Sequence, residues 1–310
     1  MRVLMRSDSI SCVLLILLTG LGVFSGCTSL RNEVDPNLLG AASTKLVVSG
    51  FISPQDTTLA IKVTRSNTVV GDSISLLQTG NNVSDATVTL SDGNKSVTLP
   101  YNNVPPGDTV RNRPYYSISA KLLPIVAGRT YTLAVTTPNG QRATSTCTIP
   151  AAVPLAAIKI DSINRRYFIT IKWQDPAGQA NYYQAAGIFR YIASNCRACQ
   201  NETYNILSFD DDSRGLVSDA GYEGGEMASG RAYLTSSGIT NFYNQYKTAS
   251  VTANLMSVDP NFYRFQNAAM RQRRSRNNPF AEPVLIPSNI EGGLGCFAGY
   301  NNAVLTLKLK

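Results

Sequence analysis

The chain has 310 residues, 43% of them hydrophobic and only 15% charged, with a formal net charge of +8. That apolar share supports a folded core, and the length suits about two domains. Histidine is absent, which removes the usual neutral-pH base and the commonest metal ligand and excludes Ser-His-Asp, Cys-His and His-metal mechanisms.

Residues 1–26 read as an export signal. Arg2 and Arg6 precede an apolar run, Val13–Leu18 continued by Leu21–Phe24, which closes on Ser25-Gly26-Cys27. Gly20 and Gly22 break the run, and crossing a bilayer takes ~20 apolar residues, so cleavage is expected rather than a membrane span. Phe24-Ser25-Gly26-Cys27 resembles a lipobox, with Phe24 where leucine is usual. Cutting before Cys27 and placing diacylglycerol on its thiol would tether the chain to a membrane. Residues 27–43 then form a flexible polar tether with Pro36, Gly40 and no apolar period. Thr28, in place of an aspartate beside the lipid cysteine, favours the outer membrane.

Residues 44–150 read as an immunoglobulin-like, antiparallel β-sandwich domain. Lys45–Ile52 is apolar and β-branched. Leu59–Thr64 places Leu59, Ile61 and Val63 on one face. Ala86–Leu90 runs into the turn Ser91-Asp92-Gly93-Asn94, and Ser96–Leu99 returns. Tyr115–Leu122, Thr130–Thr136 and Thr144–Ile149 follow, the last two joined through Pro138-Asn139-Gly140. Pro150–Pro154 reads as a stiff linker to a second β-rich domain over 155–310.

That second segment opens with strands at Ile158–Ile163 and Tyr167–Trp173. The lone Trp173 on such a strand belongs in a core. Tyr182–Ile192, Thr203–Phe209, Arg231–Thr235, Ala249–Ser257 and Ala303–Leu309 complete a mainly β fold class. One short helix is expected near 259–274. Asp259-Pro260 supplies the cap and first position, and Phe262, Phe265, Ala269 and Met270 share a face. Arg271, Arg273 and Arg274 fall where they complement the helix C-terminus, so this basic run needs no nucleic-acid partner, and none is expected.

Six cysteines are present. Cys12 leaves with the signal and Cys27 takes the lipid. Cys147, Cys196, Cys199 and Cys296 remain, an even count that favours disulfides in an oxidising compartment. Three pairings are open. Cys196-Arg197-Ala198-Cys199 lies in a loop, not at the helix start that a redox motif uses. A zinc site would want a second closely spaced pair.

Candidate chemistry is sparse. Asp210-Asp211-Asp212 reads as a solvated turn rather than a calcium site, because consecutive strand residues point in opposite directions and three in a row rarely share one ion. Gly221–Gly230 is glycine-rich with no following lysine or helix, hence a loop and no phosphate cradle. Glu202, Asp219, Glu223 and Glu226 are the acids available to a carboxylate-based glycan hydrolase, but nothing marks a facing pair. Fifteen tyrosines and ten phenylalanines, including Tyr115-Tyr116, Tyr182-Tyr183 and Phe242-Tyr243, suit half-buried strand positions more than exposed stacking platforms. No catalytic residue, metal or cofactor is assigned.

Near the carboxy terminus, Asn278-Pro279-Phe280-Ala281-Glu282-Pro283 and the stretch Ser288-Asn289-Ile290-Glu291-Gly292-Gly293-Leu294-Gly295-Cys296-Phe297-Ala298-Gly299-Tyr300 resemble the end of a lipoprotein family of the Bacteroidota, catalogued as domain of unknown function 4249. Leu46–Ile52, Val83–Leu90, Gly128-Arg129-Thr130-Tyr131 and the helix start at Asp259–Phe265 fit the same resemblance. It implies an outer-membrane lipoprotein in two β-rich parts, acting in nutrient capture or in support of a TonB-dependent receptor, and it implies no catalytic residue. Three functions follow in order: a non-enzymatic protein that binds a ligand or assists that receptor, a structural or adhesive envelope protein, and a glycan hydrolase. The glycine-rich run Glu291–Gly299 is expected to form a tight turn between the helix and the final strand.

Overall fold

A computed structural model describes residues 44–66, 81–101, 114–194, 201–209, 215–235, 241–275, 280, 282 and 284–310. The signal over 1–26, Cys27, the tether, Cys196, Cys199 and Asp210–Asp212 lie outside these described residues. All described residues fall in the same compact unit.

The protein is mainly β, with three sheets and, among the described residues, a single α-helix. In chain order the first sandwich contains β1 (Leu46–Ile52), β2 (Thr58–Arg65), β3 (Thr87–Ser91), β4 (Ser96–Leu99), β5 (Tyr116–Ser119), β6 (Thr130–Thr136) and β7 (Arg142–Thr148). The second contains β8 (Leu155–Ile163), β9 (Arg166–Gln174), β10 (Tyr182–Ala193), β11 (Thr203–Leu207), β12 (Leu216–Ser218), β13 (Glu226–Ala228), β14 (Ala232–Tyr233) and β15 (Tyr246–Val258). Helix α1 (Pro260–Ser275) and β16 (Gly293–Lys308) follow.

Alternation dictates these strands. Leu46, Val48 and Ile52 on β1, with Leu59, Ile61 and Val63 on β2, are fully buried and face Val88, Leu90, Tyr131, Leu133 and Val135 of the β4-β3-β6-β7 sheet. The turn after β3 closes as its residues demand. Gly93 takes φ +90, and one Asp92 oxygen accepts the Asn94 and Lys95 N–H groups. In the second sandwich, β8, β13 and β14 pair with β9. Trp173 on β9 is fully buried beneath β10 and β15, its ring 5.2 Å from that of Tyr183.

The long final strand unites the two halves. Its first part pairs with β1 in parallel, Leu46 opposite Gly293 through Ile52 opposite Gly299. Its second part pairs antiparallel with β15, Val258 opposite Tyr300 through Ser250 opposite Lys308. The result is one eight-stranded sheet in the order β11-β10-β15-β16-β1-β2-β5, with β12 also on β10. The linker Pro150–Pro154 separates the strands of the two cores, and β16 then serves both. Among the described strands one pair, β1 with β16, is therefore parallel, which no hairpin can make and which needs a long crossover.

This corrects the turn expected at Glu291–Gly299. Glycine-rich runs read as turns, but here the glycines let backbones touch. A Cβ on Gly295, which has φ +116, would lie 2.0 Å from the Val48 carbonyl oxygen of β1. A Cβ on Gly292 would lie 2.3 Å from the Arg142 carbonyl oxygen at β7. Asn289 completes the seat like one more strand residue. Its side-chain amide donates to Phe297 O at 2.6 Å and its Oδ1 accepts Phe297 N–H at 3.0 Å, while its backbone carbonyl accepts the Ser145 hydroxyl at 2.8 Å.

Candidate functional site

A cleft of about 510 Å³ opens where the two sandwiches meet. Ile149 to Val153 forms one wall as the chain leaves β7, and the Pro176–Tyr182 loop before β10 forms another. Ser257, Val258, Asp259 and Pro260 close it at the passage from β15 into α1. The volume falls within the ~300–1,000 Å³ range of small-molecule sites.

Each wall is braced from behind. The Asn301 side-chain amide on β16 donates to Pro150 O at 3.0 Å, and Val153 N–H donates to the Ser257 hydroxyl at 3.3 Å. Asn181 donates through its side chain to Pro176 O and Gln179 O, both at 3.0 Å, and through its backbone to an Asp219 oxygen at 2.6 Å. Tyr182 leans on Tyr263 of α1, ring centroids 4.7 Å apart.

Asp259 and the Tyr182 phenol are the ionisable groups of the lining. Asp259 is buried and engaged at both oxygens. Oδ1 accepts Asn261 N–H at 2.7 Å and Phe262 N–H at 2.9 Å, capping α1, while Oδ2 accepts Gly299 N–H at 2.7 Å from β16. Burial outweighs these donors and holds its carboxyl above the usual range. The cleft therefore offers proline, alanine, valine and tyrosine surface with a few amide and carbonyl groups. It can hold an uncharged ligand by shape and hydrogen bonding. With Asp259 fully engaged, its walls present no nucleophile matched to a base.

The acids considered for hydrolysis are dispersed. Glu202 precedes β11 at the edge of the large sheet, 3.9 Å from Arg190. Glu226 on β13 pairs with Lys172, which holds its carboxyl below the usual range, the opposite of what a general acid needs. Glu223 accepts Gly178 N–H at 3.0 Å and shares a recess of about 200 Å³ with Asp219. Asp175, buried nearby, accepts the Tyr183 hydroxyl at 2.6 Å and Gly224 N–H at 3.0 Å. These carboxylates stitch the 175–181 and 219–225 loops together. The glycine-rich 221–230 stretch is accordingly a braced loop that runs into β13.

Cys147 on β7 and Cys296 on β16 are both buried free thiols. No bond joins these two, and the other two cysteines of the expected disulfides, Cys196 and Cys199, fall outside the described residues. They sit in different clusters, Cys147 in the first core and Cys296 under α1. Burial, and secondarily Asp259, pushes the Cys296 thiol up to about 12 and that of Cys147 higher still, so both behave as small apolar side chains. Cys27, Cys196 and Cys199 lie outside the described residues.

Sequence reasoning identified Asp259 as a cap but not its bond to β16, and it missed Ser257 and Asn301. A signal existed for Ser257. It occupies the core-facing parity of β15, with Val251, Ala253 and Leu255, where a polar residue demands a buried partner.

A family model described as a domain of unknown function, DUF4249, matches residues 31–306. No curated protein matches the chain.

Proposed function

Because the chain belongs to the DUF4249 family, we propose that it is an outer-membrane protein held by lipid on Cys27. In this reading it does no chemistry of its own and binds a ligand in the junction cleft, in support of a TonB-dependent receptor. The lipobox-like Phe24–Cys27 and the polar segment behind it support the anchor. The observation that carries the binding role is the cleft itself, braced on all sides by hydrogen bonds and lined by uncharged surface, with its buried carboxylate committed to three backbone donors.

Isolation of the lipidated chain in native detergent is expected to bring a TonB-dependent receptor with it. Ala180→Trp, which fills the cleft from its wall, is expected to lower receptor-dependent uptake about tenfold, the effect of ~1.4 kcal/mol of lost binding, without changing the melting temperature. Failure to recover any receptor, together with unchanged uptake in Ala180→Trp, would sink this reading. Altered surface adhesion with intact uptake would instead favour a structural or adhesive role.

A further inference from the structure

One face of the eight-stranded sheet is not covered by a second sheet. It carries α1. Phe262 meets Phe51 of β1 with ring centroids 5.2 Å apart, and Tyr263 lies against Tyr182 of β10. Residues opposite one another in register share this face. Ile206, Ile188, Thr252 and Thr306 form one row across β11, β10, β15 and β16. Tyr204, Arg190, Ser250 and Lys308 form the next. On the other flank of α1, Lys62 of β2 lies opposite Ser49 of β1.

Among the described residues cations outnumber acids on this face, where Asp56 enters only by accepting the Tyr300 hydroxyl at 3.0 Å. Lys62 and Lys308 are exposed, as are Arg264 and Arg271 on the outward side of α1 and Arg273 in its last turn. Neither α1 nor the strand positions that share its face include an Asp or Glu. Glu202, just before β11, approaches Arg190 from the edge. The acids Asp175 and Glu226 belong instead to the layer on the opposite side of the second core. Apolar side chains stand among the cations. Tyr204 is 65% exposed, Ile206 79% and Val304 56%. Cations interleaved with exposed aromatic and aliphatic groups are the chemistry of an anionic lipid surface, in which phosphates take the charges and the interfacial region takes the apolar tips.

We propose that this helix-bearing face, through Lys62, Arg264, Arg271, Arg273, Lys308 and the apolar edge strand β11, lies against the phosphate headgroups of the membrane that anchors the chain. The inference rests on the Cys27 anchor. Residues 28–43 span at most about 55 Å when extended, and β1, where they end, belongs to this same sheet. The tether keeps the sheet within reach of the lipid at high effective concentration, and the charge selects which face turns to it. The face with the acidic loops then points away from the membrane.

The test uses the full lipidated protein on vesicles of phosphatidylcholine with phosphatidylglycerol and on vesicles of phosphatidylcholine alone, read by amide hydrogen exchange. On anionic vesicles, exchange in Pro260–Ser275 and Thr203–Leu207 is expected to slow roughly tenfold. The protection should vanish at about 0.5 M salt, where the Debye length falls to ~4 Å, and in the surface variant Arg271→Glu with Arg273→Glu. A chain that stays on both vesicles through its lipid but exchanges identically on them overturns the docking face and leaves the anchor standing. Protection of this face by a co-purified receptor, and not by lipid, also overturns it and assigns the face to protein. A chain that remains on neither vesicle overturns the anchor and the inference together.

Discussion

Gly295→Ala is expected to lower the unfolding free energy by about 4 kcal/mol, a large part of what a chain of this kind has. Two costs coincide at this residue. Its φ of +116 is closed to side chains at about 1–3 kcal/mol, and the added Cβ would stand 2.0 Å from the Val48 carbonyl oxygen. The second cost can be relieved only by parting β16 from β1, the parallel pair on which both sandwiches depend. Gly93→Ala is the control. It also has positive φ, but its Cβ would meet nothing within 4 Å, so about 1 kcal/mol is expected. Guanidinium unfolding followed through Trp173 measures both, and equal effects at the two glycines would contradict the role given to Gly295.

Asp259→Ala is expected to cost about 3–4 kcal/mol, through loss of the helix cap and of three charge-assisted acceptor contacts in a buried place. The same oxygens join α1 to Gly299 of β16, so hydrogen exchange should rise at both elements, which simple fraying of the helix would not produce. Asp259→Asn keeps one acceptor and should lie between the two. Burial raises the folded-state pKa of this carboxyl above its unfolded value. The folded chain therefore holds the proton more tightly, and this group's pH-linked contribution is fully present below the ordinary carboxylate range and declines as pH rises through the raised value. The stability gap between wild type and Asp259→Asn is accordingly expected to narrow as pH rises through that window.

Much of the fold could be read in advance because local rules govern it. The alternation of Leu59, Ile61 and Val63 gave β2 its buried face, and Asp259-Pro260 gave α1 its first residue, as found. The glycine run before Tyr300 reads as a turn because glycine's freedom serves turns and close backbone contact equally, and only the position of β1, distant in sequence, decides between them. The parallel pairing of the first and last strands has no local signal at all. The cleft was hidden for the same reason. Its walls come from the linker, the 176–182 loop and the end of β15, which no spacing joins, and its chemistry is that of prolines and backbone carbonyls that carry no motif. Taken alone, the basic run at Arg271–Arg274 reads as helix termination. Only the register of β2, β10 and β16 shows that other cations share its face and outnumber the acids there.

The claim that lipid on Cys27 holds the protein at a membrane is tested most directly by the intact mass of the native chain extracted from membranes. The expected mass is that of residues 27–310 increased by at least a diacylglycerol group, lost in Cys27→Ser. A mass that retains residues 1–26, or a chain that begins at Cys27 without lipid, would contradict the account.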